Sequence, residues 1–450
     1  MVKTIKLTKG FDIKLEGEPL RFTKKKELSR NFAIKPLNFK GITPKLVVDQ
    51  GQEVKAGDPL FHSKDNDNLL FTSPISGEVI EIKRGPKRVI EEIIILSDAK
   101  NNFKDFGKTN LETASRQDVI NTMLSSGTWP FLLQRPFNKI ANPEQTPRSI
   151  FISGFDSAPL GVDYNYILNG QDKDFQTGID ALKLLTDGKI YLNLSKRLNN
   201  CSALENAHGV VKTYFDGPHP SGNVGVQIHH LEPVITKNDI AWYINPQDLV
   251  ILGRLFNTGH YDARKLVSVG GSEVVNKQFF EFIIGGNVSS LLENNITKGH
   301  NRIISGNVLT GQQINENAYL NFYDNQITVI PEGHEEEFLG WLIPTYPRPS
   351  FSKSLPAFLF PNKSYKVNTN MHGEDRAFVV TGEYEKVLPM DIMPLQLIKA
   401  CMANDIDNME ALGIYEVGPE DLALCEFICT SKAPIQEIIE NGLTYIEKEA

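Results

Sequence analysis

The chain is poor in cysteine: Cys201, Cys401, Cys425 and Cys429 are all it has in 450 residues. None of them forms the C-x2-C pairs on which zinc sites and ferredoxin-like iron–sulfur clusters rest. Cys425 and Cys429 stand four apart on an expected helix and share a face, so they read as reduced core thiols. Long apolar runs are missing too. Nothing approaches the roughly 18 consecutive apolar residues of a spanning helix. Met1–Lys6 alternates like a strand and has no apolar core of a signal peptide, so a cytosolic, non-spanning protein is expected. Positive charge is in deficit, with 47 Lys and Arg against 55 Asp and Glu and a net charge of −8. That argues against nucleic acid, whose phosphates require a basic face, and against unaided adhesion to an anionic membrane. If the chain sits at a membrane, another protein must hold it there. No G-x-G-x-x-G, no G-x-x-x-x-G-K-[ST] and no G-x-S-x-G occurs, and no pair of catalytic carboxylates stands out. A self-contained nucleotide site, hydrolase or transferase is therefore not expected.

What is present fills more than one core. At this length about three or four domains are expected, and the pattern is that of a multidomain α+β protein. Residues 1–100 read as strands and turns. Val47–Leu60, with Gly51 and Gly57-Asp58 as turn residues, and Ser73-Pro74-Ile75-Ser76-Gly77 as the return, resemble a biotinyl/lipoyl-like barrel-sandwich. In that family a modified lysine sits at the hairpin tip. Here the position holds Asn66, whose amide takes neither group, so the domain is expected to be unmodified. Residues 101–250 alternate strand and helix. Ser115 to Asp118 is a capping box, Ser149–Ser153 a strand, Thr177–Thr186 a helix and Lys189–Leu194 a strand. Together they give a Rossmann-like α/β layer. Residues 251–335 read as a second β-rich block, with glycine turns at Gly270-Gly271 and Gly285-Gly286. Residues 336–450 read as a proline- and aromatic-rich connector followed by a C-terminal helical domain.

Several stretches match one family in order along nearly the whole chain. They are Trp129–Phe137, Ile150–Pro159, Phe215–Gly222, Arg302–Gly306 and Cys429–Lys432. With them the chain resembles the A-subunit family of bacterial Na+-translocating NADH:quinone oxidoreductases. The resemblance implies a peripheral subunit on the cytoplasmic face of the inner membrane. The complex would oxidise NADH, reduce ubiquinone or menaquinone and export Na+. FMN, FAD, riboflavin and iron–sulfur centres would be carried by partner subunits, with a membrane-spanning one among them. It also implies an architectural likeness to flavin-carrying NADH-binding subunits, with a β-grasp (SLBB-like) domain at 251–335.

Set beside those flavin carriers, Ser153–Leu160 departs. A flavin phosphate needs glycines so that backbone N–H groups can approach it, but here Phe155 fills space and Asp156 repels an anion. No FMN is expected on this chain, and no metal. A quinone needs a flat apolar slot with one or two donors to its carbonyl oxygens. Trp129, Phe131 and Phe137 are the candidate walls and Gln134 and Arg135 the candidate donors, against the plainer reading of a turn packed by aromatics. His219, held between Pro218 and Pro220, is a candidate partner-facing residue, with Trp341, Tyr346 and Phe351 of the connector. His229 and His230, if on a strand, face opposite sides and cannot share a metal. Two other readings remain at this point: a flavin-bearing NADH dehydrogenase subunit, and a pure ligand-binding or scaffold module.

Overall fold

A computed structural model describes residues 3–25, 29–197, 201–333, 348–352, 359–360, 362–374 and 376–449. Among these, a seven-stranded sheet forms the centre. Its order is Lys3–Lys6, Val211–Asp216, Lys189–Ser195, Ser149–Ser153, Ala241–Ile244, Leu133–Arg135, Lys139–Ile140. The first five strands are parallel, and the last two add an antiparallel edge. Parallel strands are covered on both faces, which is why Ile150-Phe151-Ile152 is apolar without alternation. The side chains still divide by face. Ile150, Ile152, Ile190 and Leu192 enter one core, and Phe151 and Tyr191 the other.

On the first face, helices Asp172–Lys183 and Pro246–Thr258 pack together closely. A Cβ on Gly253 would meet the Asp174 carbonyl oxygen at 1.7 Å, so only glycine permits that approach. The first helix begins five residues before the expected Thr177, because Asp172 and Asp174 favour its N-terminal turn. The second crosses the expected boundary at 250, so residues 251–258 continue the α/β layer. On the opposite face lies Val224–Leu231. This corrects the strand reading of His229 and His230: they are neighbours on a helix, with ring centroids 5.1 Å apart. They still share no ligand. His229 Nδ1 lies 2.7 Å from Glu416 Oε2, and His230 Nε2 lies 2.7 Å from the Pro389 carbonyl oxygen.

The barrel-sandwich is built from Asn31–Ile34, Ile90–Ser97, Gly77–Arg84 and Glu53–Val54 in one sheet, and Pro44–Leu46, Pro59–Ser63 and Asn66–Thr72 in the other. The two strands before it pair elsewhere. Lys3–Lys6 extends the central sheet, and Leu20–Lys24 joins a six-stranded mixed sheet. That sheet also contains Gln278–Ile283, Arg264–Gly270, Gln326–Pro331, Asn301–Ser305 and Gln312–Ile314. The end of the chain is helical, with Pro394–Ala403, Ile406–Ala411, Ala423–Ile428 and Ile435–Glu449 packed on the second core. All four cysteines are buried free thiols. Among the described residues no group of His, Cys, Asp and Glu is arranged to hold a metal, and no helix is long and apolar enough to cross a membrane.

Candidate functional site

From Ser149–Ser153 the chain turns to Lys189–Ser195 on one side. It returns by way of Val211–Asp216 to Ala241–Ile244 on the other. Ligands of open parallel sheets bind at such a reversal, beyond the carboxyl ends of the strands. A partly open cavity of about 230 Å³ lies there. Ser153 and Ile244 mark its strand ends, and Asn245, Pro246 and Asp248 its helix start. Phe131, Phe155, Tyr164, Tyr243 and Tyr323 supply aromatic wall.

Each wall element has a local cause. Asn245 caps the helix Pro246–Thr258 by accepting from the Gln247 N–H, and Pro246 takes the first helical position, where no N–H is needed. Asp248 follows in the first turn and is 1% exposed. Burial pushes its carboxyl up to about 7, against the opposing pull of the Lys265 ammonium. Its Oδ1 has no hydrogen-bond partner. Lys265 is itself buried, and its ammonium donates to the Asp324 and Phe322 carbonyl oxygens.

The loop after Ser153 turns inward. Asp156 is half-buried, and its carboxylate accepts from the backbone N–H groups of Ala158 (2.8 Å) and Val162 (3.2 Å). Phe155 packs into the second core. A flavin phosphate would need those N–H groups, and a carboxylate already holds them, so the loop does not fit the group. Ser153 Oγ donates to Gly222 O at 2.9 Å, and the Gly222 N–H donates to Ser157 Oγ at 2.8 Å. These bonds stitch the 217–222 loop to the rim.

The three expected walls and two expected donors of a quinone slot do not line one space. Only Phe131 reaches the cavity; its ring stacks on Phe322 at 5.2 Å. Trp129 is wholly buried edge-on to Trp242, and its indole N–H donates to Ala141 O. Gln134 Oε1 accepts from the Asn142 N–H. Arg135 is 0% exposed and points to the C-terminal helices, donating to Glu420 (2.5 Å) and Asp421 (3.1 Å). Burial opposes its charge, but the two carboxylates hold the guanidinium above its usual range. Phe137 meets Tyr415 edge-on at 5.7 Å. Strand alternation and the following turn send neighbouring residues to different cores, which a linear motif does not reveal.

His219 is corrected as a partner-facing residue. It is 3% exposed, its Nδ1 lies 3.0 Å from Ser157 Oγ, and its backbone N–H donates to Asp12. Burial pushes its imidazole down to about 4, so it is neutral at pH 7. Phe351 is half-buried against Phe11, ring centroids 5.6 Å apart, beside a larger cleft of about 660 Å³. Trp341 and Tyr346 lie outside the described residues. Sequence reasoning missed Asp248, Tyr164, Tyr243 and Tyr323. The only trace of Asp248 is the Asn245-Pro246 helix start, and an acid there ordinarily signals a solvated first turn.

Three family descriptions match the chain: the NqrA N-terminal barrel-sandwich hybrid domain over residues 5–98, the NqrA second alpha/beta domain over 114–261, and the NQRA C-terminal domain over 266–316. Among individual proteins, it is 35% identical over 452 residues to the A subunit of the Na(+)-translocating NADH-quinone reductase of Serratia proteamaculans (strain 568). It is 37% identical over 448 residues to the protein of the same name from Vibrio anguillarum. Each alignment covers 99% of this chain and 100% of the relative. Among solved structures, an NAD+-reducing NiFe-hydrogenase in the H2-reduced state overlaps 75% of this chain and 64% of its own, with a TM-score of 0.40 and 13% identity.

Proposed function

The chain belongs to the A-subunit family of Na(+)-translocating NADH-quinone reductases, and from that premise we propose that it serves as a peripheral subunit of such a complex. In this reading the complex passes electrons from NADH to quinone and exports Na+. The chain docks on other subunits at the cytoplasmic face, a membrane-spanning one first among them, and shapes the access of quinone. FMN, FAD, riboflavin and iron–sulfur centres sit on those partners. The mixed sheet from Leu20–Lys24 through Gln326–Pro331 is the β-grasp (SLBB-like) part of this plan.

The observation that carries the proposal is the end-to-end match to relatives bearing that name. The Asp156 loop supports the placement of flavin elsewhere, because its N–H groups are already committed to a carboxylate. It speaks against a flavin-bearing dehydrogenase subunit, and a purified chain with a stoichiometric flavin absorbance band would reverse that judgement. The ring-sized cavity at the sheet reversal supports a role toward quinone over a scaffold alone.

The test is a complex purified from cells lacking this chain. NADH oxidation by an artificial acceptor should persist while quinone reduction and Na+ export fall. Full quinone reduction without the chain would refute the proposal.

A further inference from the structure

The walls of the cavity are aromatic, and their polar groups are nearly all committed. Ser153 Oγ donates to Gly222 O and accepts from Gln227. Asp156 holds its own loop. Asn245 accepts from the Gln247 N–H and donates to Tyr164 Oη at 2.6 Å. Tyr243 donates to Asn138, and Tyr323 donates to Pro130 O at 2.9 Å. Asp248 is the exception, since its Oδ1 is buried in the wall with no partner. An orphaned polar atom in a folded interior costs roughly 1–3 kcal/mol, so a group kept in that state calls for a reason. A ligand that completes the bond supplies one. The space suits a single substituted ring, since a cavity of about 150 Å³ takes benzene and this one measures about 230 Å³. Aromatic faces on several sides favour a flat ring over a sugar or a flexible chain.

We propose that this cavity receives the ring of a quinone and that the Asp248 carboxyl, turned toward the ring, makes the hydrogen bond to one of its oxygen atoms. The assignment rests on the quinone reading above and adds the residue and the place. As a carboxylic acid, Asp248 donates to the carbonyl of the oxidised ring. As a carboxylate, it accepts from a hydroxyl of the reduced ring. The candidate donors Gln134 and Arg135 take no part, because their polar atoms face Asn142 and the C-terminal carboxylates.

The experiment is equilibrium titration of the purified full-length chain with ubiquinone-1, followed by calorimetry. Wild type should bind saturably. Asp248→Leu, which keeps the branching but removes both oxygens, should weaken binding at least tenfold, the scale of one lost hydrogen bond at a buried group. Asp248→Asn retains a donor and an acceptor and should stay within about threefold of wild type. Val224 lines the same cavity from a half-buried position, so Val224→Trp adds bulk to the space and should abolish the signal, which keeps the location testable should the leucine variant fail to fold. Wild-type affinity in both Asp248→Leu and Val224→Trp would overturn the assignment and leave the quinone reading standing. No saturable binding by the wild-type chain would overturn both this assignment and direct quinone contact. The subunit role would then still be judged by the deletion experiment.

Discussion

The hairpin tip of the barrel-sandwich and the cavity of the central sheet are the two places weighed in the sequence as seats of a working group. They differ in what is left over. At the tip, Asn66 opens the strand Asn66–Thr72 beside solvent, and its side-chain oxygen accepts from the Asn68 N–H. His62 behind it meets Asp67 at 3.1 Å. Among the described residues of the tip, no buried side-chain polar atom lacks a partner. At the cavity, Asp156 accepts from the N–H groups of its own loop, yet Asp248 Oδ1 stays buried and unpaired. A familiar frame therefore does not mark a site by itself. An unsatisfied hydrogen-bonding atom within a ring-sized space is the better marker.

Four perturbations test this contrast. The largest effect is expected at Arg135, whose buried guanidinium meets two carboxylates through Nη2 while its Nε and Nη1 stay without partners. Arg135→Met would leave Asp421 (side chain 0% exposed) and Glu420 without their cation. A loss of about 3–5 kcal/mol in chemical denaturation is expected, as when one partner of a buried pair is removed. A change within error would mean that the C-terminal helices are held by their apolar packing alone.

Asp248 should behave in the opposite way. A carboxyl raised to about 7 on folding binds its proton more tightly in the folded than in the unfolded chain. It therefore contributes stability at acid pH that is lost as the pH rises from about 4 through about 7, on the order of 4 kcal/mol. Asp248→Asn should flatten that slope and match or exceed wild-type stability at neutral pH. An unchanged slope in urea titrations across this range would show that the buried carboxyl is not its source.

In the loop after Ser153, Asp156→Ala strips the acceptor from two backbone N–H groups, with an expected cost of about 1–3 kcal/mol. The thermal midpoint reads it, and an unchanged midpoint would mean water replaces the carboxylate without loss. The smallest effect belongs to the tip. Asn66→Ala should alter stability by less than about 0.5 kcal/mol and leave quinone reduction by the complex unchanged, as for an ordinary surface residue. A marked loss of activity would restore a working role to the hairpin and erase the contrast.

Much of the plan could be read in advance where the signal is local. The capping box at Ser115 and Asp118 forms as expected, with each side chain bonded to the other's backbone. Asn66 sits beside the hairpin turn of the barrel-sandwich, and the expected turn residues Gly51 and Gly57 hold positive φ. The acid Asp156 in the loop after Ser153 was visible in the sequence, but its bonds to the Ala158 and Val162 N–H groups were not. The aromatic run Trp129–Phe137 promised one slot but sends its side chains to three places: Trp129 to the core under Trp242, Phe131 to the cavity and Arg135 to the C-terminal helices. His219 between two prolines suggested display, and burial against Ser157 and Asp12 decided otherwise.

Residue order and composition were enough to say which segments turn, cap and alternate, and which family the chain belongs to, because those depend on near neighbours and on the order of short motifs. It took the assembled fold to bring Asp248, Tyr164, Tyr243 and Tyr323 to one reversal of the sheet, and to leave one carboxyl oxygen among them unpaired. Burial and hydrogen-bond completion are properties of residues brought together from far apart. An acid in a helix's first turn has the same local signature whether it faces bulk water or is buried in a cavity wall.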